Sequence, residues 1–285
     1  MYKLTHDTRA MVLRCLTDGM SVRATSRTTG ASKGAVLRLL AEAGEFCMGY
    51  HCLRMRNLPT KRVEADEQWS FVGAKAKNAT RPGDGDLWTF AALDADTKLV
   101  ITYLVGARSV ENTYAFVEDL AHRVAGRIQL TTDGWGAYLG AVRHAFAFGR
   151  CDYAQIVKEY ATTTDGEAVK RYSPPVCTGA VKVRLIGRPE MGKVSTSYVE
   201  ALNLATRQHC KRFARLTIAH SRKQENHAHA VALHFFAHNF LRVHTTLSKE
   251  QGAKTTPAMA SGLTTKVWTV QDLLALMDPK SVTVK

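Results

Sequence analysis

The chain has 285 residues, 45% of them hydrophobic, with a formal net charge of +14 and a pI of about 9.6. That content excludes a disordered chain and supports one large core or two modest ones. No apolar run is long enough to span a bilayer, and the start, MYKLTHDTRAMVLRC, lacks the apolar stretch of a secretory signal, so a cytoplasmic, nucleoid-associated protein without a membrane partner is expected.

The positive excess predicts a polyanionic partner, nucleic acid being the commonest. It is unevenly placed: residues 1–62 hold eleven Lys/Arg against four Asp/Glu, and residues 195–245 hold seven against two. The six cysteines are scattered and read as free thiols. Cys47, His51 and Cys52 form at most a partial zinc site, because no second ligand pair follows.

In chain order, residues 7–44 read as three short helices. Ser21 caps a helix that ends at Gly30, and Ser32 caps another carrying Val36, Leu39, Leu40 and Ala43, stopped by Gly44. Helix, tight glycine turn, helix is the helix-turn-helix layout, and its second helix would offer Ser32, Lys33 and Arg38 to a DNA groove. The plain alternative is a helical hairpin. Residues 46–62 then read as a basic linker.

From residue 63 the pattern changes to strands. EQWSFVG (67–73) alternates, and LWTFAALD (87–94) and KLVITYLV (98–105) are apolar, aromatic and β-branched, joined by a hairpin turn at Asp94-Ala95-Asp96-Thr97. A helix starts at Ser109 with Val110, Tyr114, Val117, Ala121 and Val124 as its buried stripe. RIQLTT (127–132) is a strand ending at Asp133, followed by a helical segment. Three antiparallel strands, a helix, a strand and a helix is the order of the RNase H-like fold. Residues 146–194, with two strands (CDYAQIVKEY and GAVKVRLIG) around a Pro-Pro turn, read as an insertion before the last helices. The fold class is thus mixed α/β, with an all-α head (1–45), the linker (46–62), a catalytic domain (63–245) and a tail (246–285).

Phosphodiester transfer needs an activated oxygen nucleophile and neutralisation of the leaving oxygen, and two divalent ions about 4 Å apart, held by clustered carboxylates, supply both. Asp66 lies at the start of the first strand and Asp133 at the end of the fourth, so the two can face each other across the sheet. Glu200 stands on a helix whose buried stripe is Val199, Leu202, Cys210 and Phe213. Glu200, Asn203, Arg207 and Lys211 share the other face, a metal ligand followed by phosphate-binding cations. Alternatives stay open on spacing alone. Glu64 or Glu67 competes with Asp66, Asp133 also suits a helix cap, and Glu190 and Glu225 rival Glu200. Asp94 and Asp96 are explained by their turn. Residues 220–244 hold six histidines. His234 and His238 have a metal-like i,i+4 spacing, but the remaining residues of a zinc motif are missing, so packing is the preferred reading. Asn239, Arg242 and His244 fit a phosphate contact or capping and packing equally well.

The strings GMSVRATSRTTGASKGAVLRLLAEAG, DEQWSFVGAK, TTDGWGAY, TSYVEALNLATRQHCKRFARLT and ENHAHAVALHFFAHNFLRVHTTL resemble bacterial insertion-sequence transposases of the DDE class, most closely the insertion sequence 1 family. With the later TPAMASGLT they cover most of residues 18–265. The resemblance implies a helix-turn-helix head, an RNase H-like catalytic domain and two bound Mg²⁺ or Mn²⁺ ions. By motif position it puts the three acids on Asp66, Asp133 and Glu200 and the following basic residue on Arg207. Asp133 and Glu200 are 67 residues apart, longer than in compact members. A long insertion is tolerable where its ends stay close. The expected function is metal-dependent cleavage and strand transfer at element ends. The partners are double-stranded DNA, as terminal inverted repeats and target, and further copies of the chain. The alternatives are a catalytically inert DNA-binding regulator derived from a transposase and a structure-specific RNase H-like nuclease.

Overall fold

Serine caps open the second and third of three N-terminal helices in the computed structural model, which describes residues 4–146, 149–160, 177–214 and 218–278. Helix α1 (His6–Thr17) is followed by α2 (Val22–Thr29), where Ser21 Oγ accepts from Ala24 N–H, and α3 (Lys33–Arg54), where Ser32 Oγ accepts from Ala35 N–H. Gly30 makes the turn between them at φ +71°, a left-handed conformation that a residue with a Cβ adopts at a cost.

The strands and remaining helices follow as β1 (Arg62–Val72), β2 (Gly85–Asp94), β3 (Val100–Gly106), α4 (Val110–Arg123), β4 (Ile128–Asp133), α5 (Ala137–Ala145), β5 (Cys151–Tyr160) and β6 (Cys177–Ile186). After them come α6 (Ser197–His209), α7 (Gln224–Phe236), a π-helical turn (Ala237–Leu241), α8 (Thr245–Gln251), α9 (Pro257–Ala260) and α10 (Val270–Met277). None of these helices is long and apolar enough to cross a membrane.

The six strands form one mixed sheet in the order β3-β2-β1-β4-β5-β6. β1, β2 and β3 pair antiparallel, β4 and β5 run parallel to β1, and β6 closes the other edge antiparallel to β5. The chain builds outward from β1 to one edge, crosses over through α4, and builds outward again from β4. The gap between β1 and β4 is therefore a topological switch point, where the carboxyl ends of parallel strands leave room for a ligand.

Three expected boundaries need correction. The helix expected to stop at Gly44 runs on to Arg54, through most of the expected linker. Gly44 is instead where α7 crosses: a Cβ there would lie 2.7 Å from His229 O and collide with the His229 side chain. Phe46 and Tyr50 extend the apolar face beyond it, and the Tyr50 ring packs edge-on against Phe240 at 5.6 Å and against Trp268 at 5.8 Å. The expected insertion is not separate from the sheet either. β5 pairs with β4 from Ile128–Cys151 to Asp133–Ile156, and β6 extends the same sheet. The Pro174-Pro175 turn expected between them lies outside the described residues. Finally, the expected tail contains packed helices, with Leu273 and Leu274 of α10 buried in the same core as Ala10 and Leu13 of α1. Head, sheet and closing helices share that core.

Candidate active site

The β1–β4 ladder ends at Ala65 opposite Thr132, so the next residue on each strand, Asp66 and Asp133, stands where the sheet opens. Their carboxylates and that of Glu67 each offer an oxygen lying within 4.8 Å of the others. Neighbouring residues on a strand point to opposite faces, and these two do. Asp66 turns toward α6, accepting from Asn203 Nδ2 at 2.7 Å, while Glu67 is buried toward α5 beside Tyr138. Asp133, at the tip of β4, is within reach of both.

Neutral donors hold both oxygens of Asp66 and one of Asp133. Asp66 Oδ1 accepts from Glu67 N–H at 2.8 Å, and Asp133 Oδ1 accepts from Trp135 N–H at 3.0 Å. Asp133 thus does organise the turn into the next helix, one of its two readings, while Oδ2 remains turned to the cluster. Glu67 Oε1 is buried without a hydrogen-bond partner. Burial, then the charge of Asp133, pushes the Asp66 carboxyl up to about 6 and the Glu67 carboxyl up to about 7. Crowded, desolvated carboxylates of this kind resist ionisation until a cation joins them. Oxygen-only donors at this spacing fit a hard divalent ion such as Mg²⁺ or Mn²⁺.

Glu200 lies outside that tight group. Its Oε1 accepts from Lys158 Nζ at 2.5 Å and from Thr196 Oγ1 at 2.9 Å. It is still a neighbour: it stands one turn before Asn203 on α6, and its charge is among those raising the Asp66 carboxyl. Asn203 is buried against Asp66 and does not share an exposed face with Glu200, as the helix pattern had suggested. Glu64, a rival to Asp66 by sequence, has a separate job. Its buried Oε2 accepts from the Tyr198 and Val199 N–H groups at 2.8 and 3.0 Å, fastening the start of α6 to β1. Glu190 pairs with Lys193 and its N–H with Gln129, near the other end of β4, and Glu225 stands in the first turn of α7.

Ser32, Lys33 and Arg38 are exposed on the head, Ser32 also serving as a cap. Lys33 and Lys211 line one cleft between the head and the α6–α7 side, together with Arg23, Arg212 and Arg222. Arg207 is half-buried on α6. Three of the histidines are tied into the core: His227 sits between Ser70 and Ser221, His234 meets Thr206 at 3.1 Å, and His238 meets Lys98 O at 2.9 Å. Asn239 clasps edge strand β3, accepting from Val100 N–H at 2.9 Å and donating to Val100 O at 3.0 Å. Arg242 donates to Thr17 O in the head. Cys47 and Cys52 are free, and His51 Nε2 is paired with Ile101 O.

Sequence reasoning missed Arg108, Trp88 and Lys158, and weighed Glu67 only as a substitute for Asp66. The missed cations come from a turn and from a strand read as insertion, where no period marks them. The adjacent Asp66-Glu67 doublet was the available signal for Glu67.

A sequence model of the family described as IS1 transposase matches residues 61–173. The insertion element iso-IS1n protein InsB of Shigella dysenteriae is 28% identical over 177 residues, 62% of this chain and 95% of that protein. Among solved structures, a pre-cleavage Mos1 transpososome is 14% identical, with a TM-score of 0.23, over 54% of this chain and 60% of that one. Aquifex aeolicus Argonaute is 10% identical, with a TM-score of 0.28, over 53% of this chain and 25% of that one. These two structural likenesses are too slight to carry an argument.

Proposed function

Proceeding from a chain that is similar to the IS1-family insertion-sequence transposases, we propose that it cuts and joins DNA at the ends of such an element. The reading takes Asp66, Asp133 and Glu200 as the acids of an RNase H-like site, and the observation that carries it is the meeting of Asp66 and Asp133 at the β1–β4 switch point. Divalent ions held there would activate an oxygen nucleophile and neutralise the leaving oxygen. The protein's own part is preorganisation. Asn203 and the Glu67 N–H aim Asp66, the Trp135 N–H aims Asp133, and Glu64 fixes the helix that carries Glu200. Glu200 would leave Lys158 to complete the set, and that ion pair is the one feature favouring an inert DNA-binding descendant.

The α1–α3 head would read the terminal repeats as a helix-turn-helix through Ser32, Lys33 and Arg38, with Arg207 and Lys211 holding phosphates. A homo-oligomer would bring two ends together, by analogy only. The test is nicking and joining of a duplex carrying the ends of the DNA element that encodes the chain, with Mn²⁺ or Mg²⁺. Strand cleavage and joining are expected of the wild type and neither of Asp133→Ala; full cleavage by that variant refutes the assignment. Cutting of branched DNA without joining would mark a structure-specific nuclease.

A further inference from the structure

The acidic cluster has a cation of its own. Arg108 lies in the turn between β3 and α4, with Cζ 5.0 Å from the Trp88 ring centre and 4.3 Å from that of Trp135. Its Nε donates to Glu67 Oε2 at 3.2 Å, and its Nη2 is ion-paired with the same oxygen at 3.0 Å and donates to Asp133 Oδ2 at 3.5 Å. The Glu67 side chain is 1% exposed and that of Arg108 27%. Nη1 has no hydrogen-bond partner among the described residues.

Two indoles and a buried carboxylate therefore fix the guanidinium, while Nη1 stays open. A planar fork held this way is preorganised for a phosphate oxygen. Of the acids in the cluster, Glu67 is the one nearest Arg108, at 3.0 Å against 3.5 Å for Asp133. A buried carboxylate already spent on an arginine is a poor choice of metal ligand.

We propose that Arg108 contacts the DNA phosphate being cut, and that Glu67 is the positioning residue holding it there and not a metal ligand. This rests on the transposase reading above. Glu67 sets the direction of the guanidinium, Trp88 and Trp135 limit its swing, and Nη1 donates to a non-bridging oxygen where negative charge builds up.

Two measurements test it. The first is Mn²⁺ binding without DNA, followed by the electron paramagnetic resonance signal of free Mn²⁺, with circular dichroism to verify folding. The charge-neutral double variant Glu67→Gln, Arg108→Gln should bind Mn²⁺ within about threefold of wild type, because a paired charge is removed whole. Asp133→Asn should bind about 100-fold more weakly. A double variant that loses as much as Asp133→Asn makes Glu67 a ligand and overturns the proposal. The second is single-turnover cleavage of the element-end duplex at saturating Mn²⁺ and DNA. Arg108→Gln should slow it about 100-fold while DNA affinity in Ca²⁺ stays within about threefold, and Arg108→Lys should fall between. Cleavage by Arg108→Gln at the wild-type rate overturns the phosphate contact. A wild type that binds Mn²⁺ through Asp133 yet cuts no element end sinks the transposase reading and the phosphate contact with it, while the double variant still decides the role of Glu67.

Discussion

Replacing Asp66 by asparagine is expected to stabilise the metal-free protein at alkaline pH. Burial and the Asp133 charge lift the Asp66 carboxyl from 3.8 to about 6. The unfolded chain feels no such lift. Between those two values the native state binds more protons than the unfolded state, so stability falls as pH rises through the window. The penalty is absent below about pH 4, complete above about pH 6, and amounts to about 3 kcal/mol for a shift of this size. Asp66→Asn removes the charge and keeps an acceptor for the Glu67 N–H, but it weakens the bond from Asn203 at a cost of about 1 kcal/mol. The net gain is about 1–2 kcal/mol, a Tm rise of about 3–6 °C for a chain of this size. Thermal unfolding by circular dichroism in EDTA at pH 8 and pH 4 measures it. The gain should vanish at pH 4, and Mn²⁺ at pH 8 should raise the Tm of the wild type but not of the variant. An Asp66→Asn protein that melts no higher than wild type at pH 8, or gains equally at pH 4, refutes the reasoning.

Gly44→Val should destabilise the fold by about 3 kcal/mol, because its side chain collides with His229 where α3 and α7 cross; chemical denaturation reads the loss, and Gly49→Val on the open side of α3 should lose far less. Asn239→Ala should cost about 2–4 kcal/mol by leaving Val100 N–H and C=O without their partner, seen as a lower urea midpoint and faster hydrogen exchange along β3. Lys33→Gln and Arg38→Gln should each flatten the slope of log binding constant against log salt by about one, for any duplex sequence. Unchanged slopes would remove the head from the DNA interface.

The sequence carried the element order well where one periodicity dominated. The apolar and aromatic run of β2, the Asp94–Thr97 turn, whose Asp94 Oδ1 accepts from the Asp96 and Thr97 N–H groups, and the serine caps of α2 and α3 are local signals, and the structure shows them. It failed where tertiary contact overrides local rules. Gly44 reads as a helix stop, yet it is a crossing point. β5 reads as insertion because its partner β4 lies across a helix, and pairing at that distance leaves no mark on either strand. In the site, Asp133 was legible as the end of β4, whereas Asp66, expected at the start of a strand, lies within β1 where its ladder with β4 ends. The pairing of Glu200 with Lys158 and of Glu67 with Arg108 was not, since each depends on a side chain delivered from a different strand or turn.

Helix α3 spans 22 residues, about 33 Å, from the exposed Lys33 to its burial against the sheet. The Gly44–His229 crossing, the Tyr50 ring contacts and the bond between His51 Nε2 and Ile101 O clamp it at several heights. On the transposase reading, a rod gripped in this way would act as a ruler, its tip on a duplex dictating by rigid offset which linkage reaches the carboxylates. Lengthening the rod should relocate the cut along the strand before it reduces the affinity of the tip for its sequence.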